Sequence, residues 1–254
     1  SAVYAHRGPF TAGISLLEAV DATLASSPRE RGQVAEALGQ ACFNAGRSTE
    51  ALARYEIALA LFQALDDRWW VTRIQRRMAS VHFRTGKRDE ARLLYETALA
   101  SCRELDRVGE GEVLAELGVL SMLQGRMDAA GECLRSALVI HQEVGNRRQE
   151  GLTLAGMGLL LLNQGRAEEA LQANHAAVAI LREVGDLRSE GAALGNLGVA
   201  CMNTGRLEEA TSWHRAALVI HRAVGNRGSE GSTLLNLGVL AADQGQLDVG
   251  IRIY

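Results

Sequence analysis

Six histidines (His6, His82, His141, His175, His214 and His221) and four cysteines (Cys42, Cys102, Cys133 and Cys201) are the side chains that could ligate a metal or act as base or nucleophile. Their spacing argues against both. No two cysteines form a CxxC pair, and no spacing suits zinc. His141 and His221 hold one slot of a repeating pattern, two copies apart, so whole helices, on the order of 10 Å or more, keep them from sharing a metal. HExxH, GxSxG and GxGxxG are absent, and Gly86-Lys87-Arg88 lacks both the Ser/Thr and the upstream glycine of a phosphate loop. Glu110, Glu150, Glu190 and Glu230 recur in one slot, which suits capping or pairing between repeats better than catalysis. The expectation is a chain that is not an enzyme and needs no cofactor or metal. The cysteines read as small buried apolar side chains in a reducing cytosol.

The remaining chemistry is that of recognition. Arg68 to Arg88 holds seven basic residues and no acidic one, in a chain of net charge −3. Arg73, Arg76, Arg77, Ser80 and Arg84 fall at helical spacing on a single face. Such guanidinium groups grip carboxylates or phosphates by paired hydrogen bonds. They would equally pair with acids of neighbouring repeats, such as Glu36 or Glu112. Trp69-Trp70 opens the same segment, and one of the pair is expected to pack on Phe62 and Leu65.

The elements that carry these residues follow from composition and periodicity. The chain has 254 residues, 47% hydrophobic and only 4% aromatic, with two prolines, Pro9 and Pro28. That content supports a buried core and favours helix. No stretch is long and apolar enough to span a membrane, and no leader segment is visible. A Gly followed by Arg, Lys or Gln stands at Gly46, Gly86, Gly125, Gly165, Gly205 and Gly245, a period of 40 with a single 39. Ala51, Ala91, Ala130, Ala170 and Ala210 follow, and then Ala58, Ala98, Ala137, Ala177 and Ala217. Seven residues before each turn lies a small residue: Gly39, Ala79, Gly118, Gly158, Gly198 or Gly238.

This pattern resembles the tetratricopeptide repeat, with its Leu-Gly pair at Leu38-Gly39, Leu117-Gly118, Leu197-Gly198 and Leu237-Gly238. The aromatic slot after the Leu-Gly pair departs from the family pattern, holding Cys42, His82, Ser121, Leu161, Cys201 and Ala241. The long period is similar to that of kinesin light chains and of sensor arrays in bacterial signalling ATPases and regulators. The resemblance implies an all-α fold, an α-solenoid (right-handed superhelix) of stacked helix-turn-helix units. It implies one solenoid over 1–254: a partial repeat 8–27, repeats 28–66, 67–106, 107–146, 147–186 and 187–226, and a partial repeat 227–254. First helices are expected near 29–45, 68–85, 108–124, 148–164, 188–204 and 228–244. Second helices are expected near 48–65, 88–105, 127–144, 167–184 and 207–224. A further helix is expected near 10–26, and another starts at Leu247. Asp106, Asn146, Asp186 and Asn226 read as helix N-caps, with Asn146 and Gln149 as a capping box. The pattern is cut at both ends, as in a fragment of a longer protein, and its Ala-, Gly- and Arg-rich regularity looks bacterial and cytoplasmic.

In repeats of this kind the first helices line a concave groove that holds a peptide or protein segment, and groove asparagines hold its backbone. The implied contact residues are Arg73, Arg76, Arg77 and Arg84 with Asn44, Asn163, Asn196, Asn203 and Asn236. An acidic partner segment would suit the arginines. The leading expectation is an interaction scaffold within a larger signalling protein, with no membrane partner. Nucleic-acid binding through the Arg73–Arg84 face and self-association through exposed solenoid ends are the alternatives. The first is disfavoured because the basic residues sit in one repeat and the chain is mildly acidic overall.

Overall fold

The computed structural model describes residues 27–243, and all regular structure among them is helical. The helices are α1 (Pro28–Asn44), α2 (Ser48–Ala64), α3 (Arg68–Arg84), α4 (Arg88–Leu105), α5 (Arg107–Leu123), α6 (Met127–Glu143), α7 (Arg147–Asn163), α8 (Ala167–Glu183), α9 (Leu187–Asn203), α10 (Leu207–Ala223) and α11 (Arg227–Asp243). Each boundary falls within one residue of that read from the sequence. The helices expected near 10–26 and from Leu247 lie outside the described residues. The fold is all-α and of the helical-repeat, solenoid class. No described helix is long and apolar enough to cross a membrane. Chain contacts divide the protein into two compact units, 1–120 and 121–254, with the boundary inside α5.

The turns explain the regular length. After α1 the chain leaves the helix with Gly46 at φ 80°, and Arg47 N–H donates to the Cys42 carbonyl at 2.9 Å. That is a Schellman closure, which glycine adopts without strain. The same six-residue closure recurs at Asp67, Lys87, Arg126, Asn146, Arg166, Asp186, Arg206 and Asn226. Asp66 takes the left-handed position at the end of α2, at φ 51°, where other copies have glycine. The junction between α4 and α5 lacks this residue altogether. There Asp106 N–H donates to Cys102 at 2.8 Å, and the missing turn residue accounts for the single 39-residue spacing.

First helices are capped by side chains. Asp67, Asp106, Asn146, Asp186 and Asn226 each accept from the backbone N–H three residues on. Ser27 and Glu30 form a full capping box. At Asn146 only the cap-to-Gln149 half forms, so the expected box there is incomplete. Second helices α2, α4, α6, α8 and α10 have no side-chain cap; acids in their first turns, such as Glu168 and Glu169, face the helix dipole instead.

Packing rests on a small residue of the first helix meeting a large one of the second. In unit 1, a Cβ built on Gly39 would stand 2.6 Å from the Tyr55 ring, and one on Gly32 would stand 2.7 Å from Phe62. In unit 2, Gly151 faces Leu181, Gly191 faces His221 and Gly198 faces His214. Tyr55, Phe62, Leu181 and His214 are fully buried. Trp70 stacks on Phe62 at 4.8 Å, as expected of one tryptophan of the pair, whereas Trp69 is 41% exposed. None of the four cysteines forms a disulfide among the described residues, and three of them are buried.

The expected inter-repeat role of the recurring glutamates is visible in their ion pairs and, at Glu150, in a hydrogen bond from Gln142. Arg103 and Arg107 meet Glu110, Gln142 and Arg147 meet Glu150, Arg182 meets Glu190, and Arg222 and Arg227 meet Glu230. In each case one partner comes from the preceding second helix, so the glutamate clasps consecutive repeats.

Two predictions follow from this packing. Gly198→Leu overpacks the α9–α10 seam and should cost about 1–3 kcal/mol; urea denaturation reading no loss would refute the seam. Gly195, with open space around it, serves as the control, and Gly195→Ala should gain about 0.5–1 kcal/mol. Second, His214 is wholly buried with neither ring nitrogen hydrogen-bonded, and burial lowers its pKa from 6.5 to about 4. The unfolded chain therefore binds the proton first as pH falls. Stability should be full above about pH 6.5 and decline by about 1.4 kcal/mol per pH unit towards pH 4 from this group. Denaturation across that window should show the slope, and His214→Leu should remove this group's share and leave that of His82 and His221, whose pKa values burial also lowers.

Candidate functional site

Each first helix presents one outward stripe at positions i, i+4, i+7 and i+11, which share a face. In unit 1 the stripes read Gln33, Ala37, Gln40, Asn44 on α1 and Arg73, Arg77, Ser80, Arg84 on α3. In unit 2 they read Leu152, Gly156, Leu159, Asn163 on α7, then Ala192, Asn196, Val199, Asn203 on α9, then Ser232, Asn236, Val239, Asp243 on α11. The chemistry changes from charged and polar to apolar with amides.

The unit 1 stripe is largely satisfied from within. Arg73 and Arg77 converge on Glu36 Oε1 of α1, at 3.3 and 3.5 Å, and that carboxylate is only 8% exposed. Arg73 also lies 5.1 Å from the Trp70 ring centre and 5.6 Å from that of Trp69. Arg76 is the most buried of the set and holds Asp106 at 3.5 Å together with Glu112. Arg84 donates to the Phe43 carbonyl and lies 3.4 Å over the Phe43 ring. Asn44 accepts from Gln40 at 2.9 Å. Gln40 and Ser80 also meet the hydroxyls of buried Tyr55 and Tyr95, at 3.5 and 3.0 Å. Burial raises both tyrosine pKa values. The four arginines thus share a face, but internal acids and a carbonyl occupy their guanidinium groups.

The unit 2 stripe is the reverse. Asn163 and Asn203 are exposed, Asn196 and Asn236 are half-buried, and none of the four amides has a partner among the described residues. Beside them stand Leu159 and Val239, each 39% exposed, and half-buried Val199. The stripe carries no charge except Asp243 at its end. Leu159, Val199 and Val239 belong to a slot that the sequence analysis passed over. Reading that slot down the repeats (Gln40, Ser80, Val119, Leu159, Val199, Val239) would have shown its turn from polar to apolar. Among the described residues, no group of three or more His, Cys, Asp or Glu side chains is arranged to hold a metal.

These stacked helix pairs define a helical-repeat protein-interaction scaffold. Sequence profiles described as tetratricopeptide repeat match residues 30–104 and 110–183, residues 76–143, and residues 191–225. The chain belongs to the tetratricopeptide-repeat family. No curated protein matches it. Among solved structures it is similar to a Signal Transduction ATPase with Numerous Domains protein with a tetratricopeptide repeat sensor, from Pyrococcus horikoshii. The TM-score is 0.75 at 16% identity, covering 96% of this chain and 38% of that one. It is also similar to the nearly identical TPR-like repeats of a protein described as a kinesin light chain from Podosopora anserina, with TM-score 0.61 and 19% identity over 78% of this chain and 98% of that one. A Rap protein complexed with competence and sporulation factor gives TM-score 0.68 and 12% identity over 94% of this chain and 72% of that one. At these identities the likeness is one of fold.

The shared carboxylate makes a test of the arginine cluster. Arg73→Met or Arg77→Met alone leaves the other guanidinium on Glu36 and should cost under about 1 kcal/mol. The double variant leaves a buried carboxylate alone and should exceed the sum of the singles by about 1–2 kcal/mol. Additive losses in urea denaturation would mean the two do not share Glu36.

Proposed function

We propose that this chain is a non-enzymatic scaffold that holds an extended, uncharged peptide segment of a partner protein on the unit 2 stripe. The observation that carries this reading is the set of unpartnered amides at Asn163, Asn196, Asn203 and Asn236, interleaved with exposed apolar side chains. An amide both donates and accepts, so it can pair with a peptide N–H and C=O alike. Leu159, Val199 and Val239 would take the partner's apolar side chains, and an uncharged stripe gives no compensation for a buried charge. The arginines Arg73, Arg76, Arg77 and Arg84 are a weaker choice, because an acidic segment must first displace Glu36, Asp106 or Glu112. The same pairing counts against a phosphate backbone as ligand. The sensor array in the Pyrococcus signalling ATPase and the Rap complex support reading the chain as a sensing or regulatory region of a larger signalling protein.

Selection of a random peptide display library against the chain tests this. Enriched peptides should be uncharged and rich in apolar residues. Asn196→Ala with Asn236→Ala should weaken their binding by about tenfold or more, the loss of two or so net hydrogen bonds. Arg73→Met with Arg77→Met should leave it within about twofold. Acidic winners that depend on the arginines would move the site to unit 1.

A further inference from the structure

One junction departs from the repeat in three slots at once. Where later first helices carry the clasping glutamates Glu110, Glu150, Glu190 and Glu230, α3 carries Val71. Where they carry glycine, as at Gly151 and Gly191, α3 carries Thr72. Where second helices carry Leu61, Ile140, Ile180 and Ile220, α4 carries Ser101. Ile180 and Ile220 plug their seams; their Cγ2 atoms would stand 3.1 and 3.0 Å from a Cβ on Gly151 and Gly191. With Ser101 the plug is missing. A cleft of about 260 Å³ opens there, lined by Gln63 and Asp66 at the end of α2, by Arg68, Val71, Thr72 and Gln75 of α3, and by Thr97 and Ser101 of α4.

The lining has uncommitted polar groups. The side chains of Gln63, Asp66, Gln75 and Ser101 have no hydrogen bond or ion pair among the described residues, whereas Thr72 and Thr97 donate to carbonyls of their own helices. Arg68 is paired with Glu104 at 2.9 Å. The uncompensated charge on the cleft is therefore the Asp66 carboxylate. Asp66 is also the one described non-glycine residue in the left-handed region, at φ 51°, a position that glycine fills at the equivalent turns after α6, α8 and α10.

We propose that this cleft binds a primary ammonium on a short aliphatic stem. The ammonium pairs with Asp66, the stem lies on Val71 and the Thr72 methyl, and Gln63, Gln75 and Ser101 bond further polar substituents. Free small amines are the proposed source, and a lysine side chain of a partner is the alternative with the same chemistry.

The test uses the whole chain and amide NMR titration with 1,4-diaminobutane, ethanolamine, free lysine and Nα-acetyl-lysine amide, with 1-butanol as the uncharged control. Saturable shifts confined to residues 63–75 and 97–101 are expected with the free amines and not with 1-butanol. Saturation by Nα-acetyl-lysine amide alone would assign the cleft to a partner's lysine. Ser101→Ile together with Thr72→Gly restores the isoleucine-against-glycine plug of the other repeats, so the pair should still fold cooperatively and should weaken binding at least tenfold. Asp66→Asn keeps a residue tolerant of the left-handed turn and should weaken binding comparably. Absence of any saturable shift with the amines, or undiminished binding in Asp66→Asn or in the Thr72→Gly, Ser101→Ile pair, would overturn the proposal.

Discussion

The structure depends on one constraint, the close approach of two helices at a position where the first has almost no side chain. Gly39 against Tyr55, Gly32 against Phe62, Gly151 against Leu181 and Gly198 against His214 are versions of the same contact. A larger residue on the first helix would part the pair. Every other regularity is subordinate to it. The left-handed turns set helix length so that the small residue and its partner stay in register, and the clasping glutamates tie one pair to the next. Within that frame the large partner can be an aromatic, an aliphatic, an amide or an imidazole.

That freedom links core to surface. In unit 1 the large partners are Tyr55 and Tyr95, whose buried hydroxyls need a bond, and Gln40 and Ser80 of the outward stripe supply it. In unit 2 the partners are Asn174 and His214. Asn174 bonds a carbonyl of its own helix, and His214 bonds nothing. Their neighbours on the stripe, Leu159 and Val199, offer no hydrogen bond, so Asn174 Oδ1 and both His214 ring nitrogens stay buried without a partner. The change of face from polar to apolar thus coincides with a change in the core behind it, from tyrosines whose hydroxyls the stripe bonds to an amide and an imidazole that it leaves unbonded. The same economy explains the cleft by Ser101, where the small-against-large rule is relaxed in a single repeat.

The fold was legible because a repeat states its constraints many times. Six copies of a glycine turn, a small residue seven positions earlier and alanines after it leave little ambiguity in helix type, length or pairing. The caps at Asp106, Asn146, Asp186 and Asn226 were readable for the same reason, as was the clasp role of Glu110 and its equivalents. The missing turn residue before Asp106 was visible only as a spacing of 39 rather than 40; its cause lay in the backbone.

The candidate site was less legible. Sequence alone determined which side chains share a helix face, because a helix fixes that by its period. It therefore placed Arg73, Arg77 and Arg84 together, and Asn196 with Asn203. It could not decide which of them are free. Charge satisfaction is a property of three-dimensional neighbours, and Glu36, Asp106 and Glu112 reach the arginines from 30 to 41 positions away in the chain. Only the tertiary structure showed those charges answered and the asparagine amides unanswered. Periodicity is local and is written in the chain; partnership is made when helices pack.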